Sequence, residues 1–319
     1  VIRTPDPAAI AEAAALIKAG GLVGMPTETV YGLAADAFNA PACARIFEVK
    51  ARPSFDPLIV HIADASELPR VVKSGPTGAA LLAARFWPGP LTLVLPKADA
   101  VPGIVCSGLD TVAVRVPAHP VALSLLQACG TPLAAPSANR FGQLSPTRAQ
   151  HVQLGLGAAV PLILDGGPCA VGVESSIVDF SGPEPRLLRP GGIPREVLEE
   201  ALGHALPSGH SVLEKPLAPG QLASHYAPRT PLRRLAAAAA IDSGEAGIGL
   251  LAFQAPPEHH HYGVVEVLSP SGQLAEAAAR LFDCLHRLDG QRLARIDVEP
   301  VPAMGLGLAI NDRLMKATA

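Results

Sequence analysis

Aromatic residues are scarce: eight Phe, three Tyr and one Trp are 4% of 319 residues. A core built around rings is therefore excluded, and the 49% of residues that are apolar must fill it chiefly as Ala, Leu and Val. Charge is thin as well, with 17% Asp, Glu, Lys and Arg and a net of −3, which speaks against a domain that coats nucleic acid electrostatically, a local basic groove apart. The five cysteines, Cys43, Cys106, Cys129, Cys169 and Cys284, are odd in number and include no CxxC pair. That pattern fits reduced, buried thiols in a cytoplasmic protein better than a disulfide framework or a zinc site. No apolar run approaches the roughly 20 residues of a membrane span, and "VIRTPDPAAIAEAAALIKAGG" reads as structure rather than as a targeting segment. A Walker loop, a GxSxG elbow, an HExxH helix and an EF-hand loop are all missing, so the common phosphate, hydrolase and metal signatures do not apply.

What is present alternates strands and helices. Asp6 before Pro7 reads as a helix cap with proline at the first helical position, and Ile10, Ala14, Leu16 and Ile17 supply an apolar stripe that stops at Gly20 and Gly21. "GLVGM", "PLIVHI", "LTLVLPK", "TVAVRVP", "PLAAPSAN", "PLILDGG" and "SSIVDF" read as short strands, with helical patterns at 66–73, 78–86 and 120–129 between them. The expectation is an α/β catalytic domain over 1–203 with a mixed sheet and flanking helices. A Pro, Gly, Ser and His-rich linker follows over 204–231, and a smaller Rossmann-like α/β domain over 232–319. The alanine run at 236–240 is ordinary helix former. "GLGLAI" at 305–310 is a fragment of a dinucleotide fingerprint or simply a glycine-opened helix, and "HHH" at 259–261 a metal ligand set or an exposed loop.

Polar residues gather at or just past the carboxyl ends of the expected strands, where open α/β sheets bind ligands. Thr27, Glu28, Thr29, Tyr31, Lys50, Arg52, His61, Thr111, Arg115, Ser137, Asn139, Ser145, Ser175 and Arg189 are the candidates. Lys50 and Arg52, in an extended stretch, point apart as two surface cations, or face one polyphosphate if the chain bends. Arg115, inside the apolar "VAVRVP", needs an anionic partner, either a substrate carboxylate or an internal Asp. Ser137 and Asn139 are turn formers or phosphate ligands. His61 ends an apolar strand, where a structural role is the ordinary one.

Taken in order, "PTETVYGLAADA", "KARPSFDPLIVHI", "WPGPLTLVL", "TVAVRVP", "APSANRFGQLSPT", "VGVESSIVD" and "LLRPGGI" resemble the YrdC-like family over about residues 6–203. "HYAP" and "GLGLAINDRLMKA" are similar to its long, two-domain, threonylcarbamoyl-AMP-forming branch. The resemblance implies a YrdC-like twisted mixed sheet and a nucleotidyltransferase. Such an enzyme joins L-threonine, bicarbonate and ATP, with Mg²⁺, into L-threonylcarbamoyl-AMP and releases pyrophosphate. Its product goes to a separate complex that modifies tRNAs reading ANN codons; direct tRNA binding is left open, and no membrane is involved. Carried over by motif, Thr29, His61, Arg115, Ala135 and Ser175 would hold threonine. Lys50, Arg52, Asp56, Thr111, Ser137, Asn139, Ser145, Arg189, His225 and Tyr226 would hold ATP, with Lys50 and Arg52 acting on the reacting phosphates.

Two positions depart from the family's pattern. "GQLAS" before "HYAP" lacks the usual basic residues, and Asp56 stands where asparagine is commoner, placing an acceptor-only anion near phosphates. His225 and Tyr226 would close the linker over the site as a lid; the alternative is a passive tether. Rival readings are an RNA-binding module, which would spread cations across one face, and the carbamoyl-adenylate-forming part of a hydrogenase maturation factor.

Overall fold

The structure is a computed structural model that describes residues 1–208, 216–236, 247–256 and 260–318. Residues 237–240 of the alanine run, His259 and linker residues 209–215 lie outside the described residues.

In chain order the first part contains β1 (Ile2–Arg3), α1 (Pro7–Lys18), β2 (Val23–Met25), β3 (Gly32–Asp36), α2 (Ala40–Lys50), β4 (Ile59–His61), α3 (Thr77–Phe86), β5 (Leu91–Pro96) and β6 (Thr111–Arg115). It continues with α4 (Pro120–Cys129), β7 (Leu133–Ala134), α5 (Ala149–Leu156), β8 (Leu162–Leu164), β9 (Ser176–Asp179), β10 (Arg186–Arg189) and α6 (Arg195–Leu202). The Asp6 side chain caps α1 as expected, accepting from Ala9 N at 2.7 Å.

The strands form one ten-stranded mixed sheet in the order β1-β8-β2-β3-β7-β4-β6-β5-β9-β10. Its register places Ile59 beside Ala113 and His61 beside Arg115. Because side chains alternate across a strand, these four share one face while Val60, Val112 and Val114 enter the main core on the other. That alternation is why polar groups can lie among apolar runs without entering the core.

A second, all-parallel sheet of β11 (Leu232–Arg234), β12 (Ile248–Ala252), β13 (Val264–Val267) and β14 (Arg295–Val298) runs in the order β11-β14-β12-β13. Helices α7 (Leu274–Asp289) and α8 (Gly307–Ala317) accompany it. Val30, Leu144 and Val173 of the first part, Tyr226 of the linker and Phe282, Leu285, Ile310 and Leu314 of the second pack into one apolar cluster. The two sheets therefore share a core beside the linker.

Several expectations are corrected. Lys50 is not in an extended stretch but is the last residue of α2, whose cap Ala51 is left-handed (φ 50°) and turns the chain sharply into Arg52. "PLAAPSAN" contributes strand only at Leu133–Ala134, and the 66–73 helix is a 3-10 helix at Ala65–Arg70. No described helix is long and apolar enough to cross a membrane. All five cysteines are free and buried.

Candidate active site

The polar face of the first sheet opens into a cleft of about 530 Å³, part of it continuous with solvent. Three strand ends and two loops build its amino-acid-sized end. Thr29 follows β2, His61 and Arg115 close β4 and β6, Ala135 follows β7, and Ser175 precedes β9. Ser175 sits at an amino end because β5 and β9 run antiparallel to β6, so their starts lie beside its finish.

Arg115 is anchored along one edge, its Nη2 by an ion pair without a hydrogen bond. Nε donates to Gly89 O at 3.2 Å, Nη1 to Thr29 Oγ1 at 2.8 Å, and Nη2 pairs with Glu28 Oε1 at 2.6 Å. The internal anion required by this buried guanidinium is thus Glu28 rather than an Asp. His61 is buried beside it, and burial together with the Arg115 charge pushes its imidazole down to about 3, so it is neutral at physiological pH.

Arg52, Ser137 and Arg189 also line the cleft, with Pro219, Gly220, His225 and Tyr226 of the linker. Arg189 donates to Ser175 O (2.9 Å), Ser175 Oγ (3.1 Å) and Pro219 O (3.2 Å), tying the β9 start to the linker. Arg52 is held by Asp56 O (2.9 Å) and Pro57 O (2.8 Å) and pairs with Asp56 Oδ2 at 2.9 Å. The Asp56 anion is therefore offset first by Arg52, and burial still raises its carboxyl above the usual range. Burial also depresses the His225 imidazole to about 3, with Arg52 and Lys50 adding to the effect.

Five of the expected site residues do not line this cleft: Lys50, Asp56, Thr111, Asn139 and Ser145. Lys50 is buried rather than a surface cation, and its ammonium donates to Ser137 O and Asn139 O, both at 2.5 Å, fastening the loop that carries Ser137. The Asn139 amide donates to Arg140 O and Gln143 O at 2.8 Å, a turn-forming role. Ser145 donates to Glu174 Oε1 at 2.5 Å. Thr111 opens β6, about 13 Å from Arg115 along a strand that rises ~3.3 Å per residue. Thr27 lines the cleft, whereas the Tyr31 hydroxyl donates to Gly167 O at 2.7 Å, away from it.

Two residues at or beside the cleft escaped the sequence reading. Glu174 lines the cleft, and Arg313 of α8 donates to it through Nε at 2.7 Å. Glu174 adjoins Ser175 inside "VGVESSIVD", and Arg313 falls on the stripe of Ile310, Leu314 and Ala317, a cation at an apolar position. Those were the signals available. Where "GQLAS" lacks cations, Gln221 Oε1 accepts from Leu217 N and Ala218 N at 2.7 and 3.0 Å and closes the turn. The turn is also held from α8, whose Lys316 Nζ donates to Gly220 O at 2.7 Å.

Two family models cover the chain: the Sua5–YciO–YrdC family, described as "Telomere recombination", matches residues 15–191, and "Threonylcarbamoyl-AMP synthase, C-terminal domain" matches residues 193–319. The chain is 43% identical to the threonylcarbamoyl-AMP synthase of Bacillus subtilis strain 168, across 99% of this chain and 94% of that one. The chain belongs to the two-domain threonylcarbamoyl-AMP synthases. The Pyrococcus abyssi member of these nucleotidyltransferases is likewise 43% identical, over 96% of this chain and 93% of its own. The solved structure of P. abyssi Sua5 complexed with L-threonine superposes with a TM-score of 0.90 at 39% identity, covering 100% of this chain and 96% of that one. The ten-stranded mixed sheet joined to a four-stranded parallel sheet is thus the synthase fold, with the YrdC-like architecture expected from the motifs in the first part and a smaller α/β domain in the second.

Proposed function

We propose that the protein synthesises L-threonylcarbamoyl-AMP from L-threonine, bicarbonate and ATP with release of pyrophosphate, for N6-threonylcarbamoyladenosine formation in tRNAs that read ANN codons. The observation that carries this reading is the convergence of Arg115, Arg52 and Arg189 in one cleft, with the hydroxyl groups of Thr29, Ser137 and Ser175 and the Glu174 carboxylate also lining it. Such a cleft suits a substrate that carries a carboxylate at one end and a polyphosphate at the other.

In this reading Thr29, His61, Arg115, Ala135 and Ser175 receive L-threonine. Glu28 and Gly89 hold the Arg115 guanidinium in place, so its charge meets the carboxylate in a fixed orientation. Neutral His61 offers a hydrogen bond without adding a second cation. Bicarbonate couples to the amine, and the carbamate oxygen then attacks the α-phosphorus of ATP in line while pyrophosphate leaves. Arg52, Arg189 and Ser137 act on the phosphates directly. Lys50, Asp56, Thr111, Asn139 and Ser145 contribute by shaping the nucleotide's surroundings. No covalent nucleophile is needed; positioning and charge neutralisation carry the step.

Magnesium fits as an ion borne mainly by the nucleotide. Among the described residues no group of three His, Cys, Asp or Glu could hold a metal, and Asp56 is outside the cleft lining and paired with Arg52. Phosphates and water are an ordinary magnesium environment, and the ion would supply charge neutralisation there. His225 and Tyr226 act as a lid that keeps water from a labile carbamate and adenylate. The product passes to a separate tRNA-modifying complex.

The test is pyrophosphate release by the purified protein with ATP, bicarbonate and Mg²⁺, comparing L-threonine, L-serine, glycine and no amino acid. Threonine-dependent release with a threonylcarbamoyl-adenylate mass in the products is expected. A folded sample that releases none under any of these conditions overturns the reading.

A further inference from the structure

We propose that Arg313, carried by the C-terminal helix α8, is a positioning residue of the catalytic cleft, making the second domain part of the first domain's site. The inference rests on the synthase reading above for its kinetic consequence, but its geometry stands alone. Arg313 is only 1% exposed and heads the largest fully buried side chains among the described residues. A guanidinium cannot shed its proton to ease burial, so such a residue must be compensated by anions and acceptors. Its partners divide between the domains. Nη1 pairs with Asp312 Oδ2 on its own helix at 2.6 Å, whereas Nε reaches Glu174 Oε2 of the first domain at 2.7 Å. The guanidinium also lies over the Tyr226 ring, 5.2 Å from its centroid.

Glu174 is placed to transmit this contact. It lines the cleft, its other oxygen holds the Ser145 hydroxyl, and its peptide continues into Ser175, whose carbonyl and hydroxyl bind Arg189. Gly191 lies flat against the same peptide, with room for no side chain: a Cβ there would come within 2.4 Å of Glu174 O. Burial pushes the Glu174 carboxyl up, but Arg313 and Arg189 pull it down to about 2, so it remains a carboxylate. The same helix grips the linker as well. Lys316 Nζ donates to Gly220 O at 2.7 Å, and Lys316 O accepts from His225 N at 3.0 Å. An apolar residue at 313 would fill the stripe of Ile310, Leu314 and Ala317 without the cost of desolvating a cation. What the guanidinium adds is a fixed position for Glu174 and for the Tyr226 ring.

The experiment compares full-length wild type with Arg313→Met and Arg313→Lys, by amide hydrogen exchange and by steady-state pyrophosphate release. In Arg313→Met, exchange in segments 173–176 and 218–228 is expected to quicken at least tenfold while β12 and β14 keep their protection. The kcat/KM for ATP and threonine is expected to fall about 100-fold, mainly through KM. Arg313→Lys keeps the charge but not the planar fork; it should lie between, and it decides the matter if Arg313→Met does not fold. Wild-type exchange and kinetics in folded Arg313→Met, or in Arg313→Lys as the deciding variant, overturn the proposal. So does quickening spread equally over both sheets with unchanged Michaelis constants, which would make Arg313 a stability residue. A wild type that releases no pyrophosphate defeats the synthase reading instead, and the exchange data then still decide whether Arg313 positions the cleft.

Discussion

Arg52 shows how one side chain can be both anchored and available. Two of its guanidinium nitrogens are spent on the Asp56 and Pro57 carbonyls and the Asp56 carboxylate, and Nη1 is the nitrogen not used in these bonds. An arginine fixed in this way loses little side-chain entropy when a phosphate arrives, which a surface lysine could not match. Arg52→Ala is expected to raise the barrier by about 3–4 kcal/mol, roughly 10²- to 10³-fold in kcat, by analogy with a lost oxyanion donor. Steady-state pyrophosphate release at saturating ATP and threonine checks this. Wild-type turnover would remove Arg52 from the phosphate site. Lys50, one residue before the turn, has a different task. Its ammonium is bound by two backbone carbonyls of the Ser137 loop, and burial lowers its affinity for a proton well below that of a free lysine. Its contribution in this structure is to fasten the loop that carries Ser137.

The elements that hold these residues meet at close range, and the loop before β9 is one such case. Gly172 is left-handed (φ 74°), and a Cβ there would come within 2.4 Å of Ala278 O and the Ala279 Cα on α7. Gly172→Ala combines backbone strain with a collision against a helix backbone, so a loss of about 2–4 kcal/mol of stability is expected. Urea denaturation measures it; a midpoint equal to wild type would mean that the loop and α7 part without cost. The same close packing explains what the sequence revealed and what it hid. Strands such as β4, β5 and β6 were legible because apolar alternation against a core leaves a period-two trace. By contrast β3, α2, α5 and β10 were not, because short elements crowded between motif residues leave no window long enough for a period to emerge. Most of the cleft was legible for the opposite reason: Arg115 and His61 are polar groups on apolar strands, and such residues stand out. Glu174 and Arg313 were hidden because their meaning is mutual. Each is a buried charge satisfied by a residue 139 positions away in the chain, a relation that no local pattern carries.

Across the whole molecule, the histidines couple stability to acidity. Burial depresses His61 and His225 to about 3 and His286 to about 4, the last with the stacked His151 ring 3.9 Å away adding to the effect. Each stays neutral in the folded state while the unfolded chain takes up a proton near the ordinary value of about 6.5. Below that value the unfolded state binds more protons, so stability is fully present above it and falls as acid is added towards the folded values. At pH 5 each group loses about 2 kcal/mol, the product of 1.36 kcal/mol per pH unit and the interval from 6.5. Glu174 does not offset this loss. Its carboxyl is held at about 2 against an ordinary 4.5, so its stabilisation persists until the pH falls below 4.5. The urea midpoint is therefore expected to drop between pH 7.5 and pH 5, and a constant or rising midpoint would contradict neutral, buried histidines. The linker should share this loss. Opening it exposes His225 to a proton that burial and the nearby Arg52, Lys50 and Arg189 exclude from the closed form, so protection factors around residue 225, corrected for the slower intrinsic exchange in acid, should fall from pH 7.5 to pH 5.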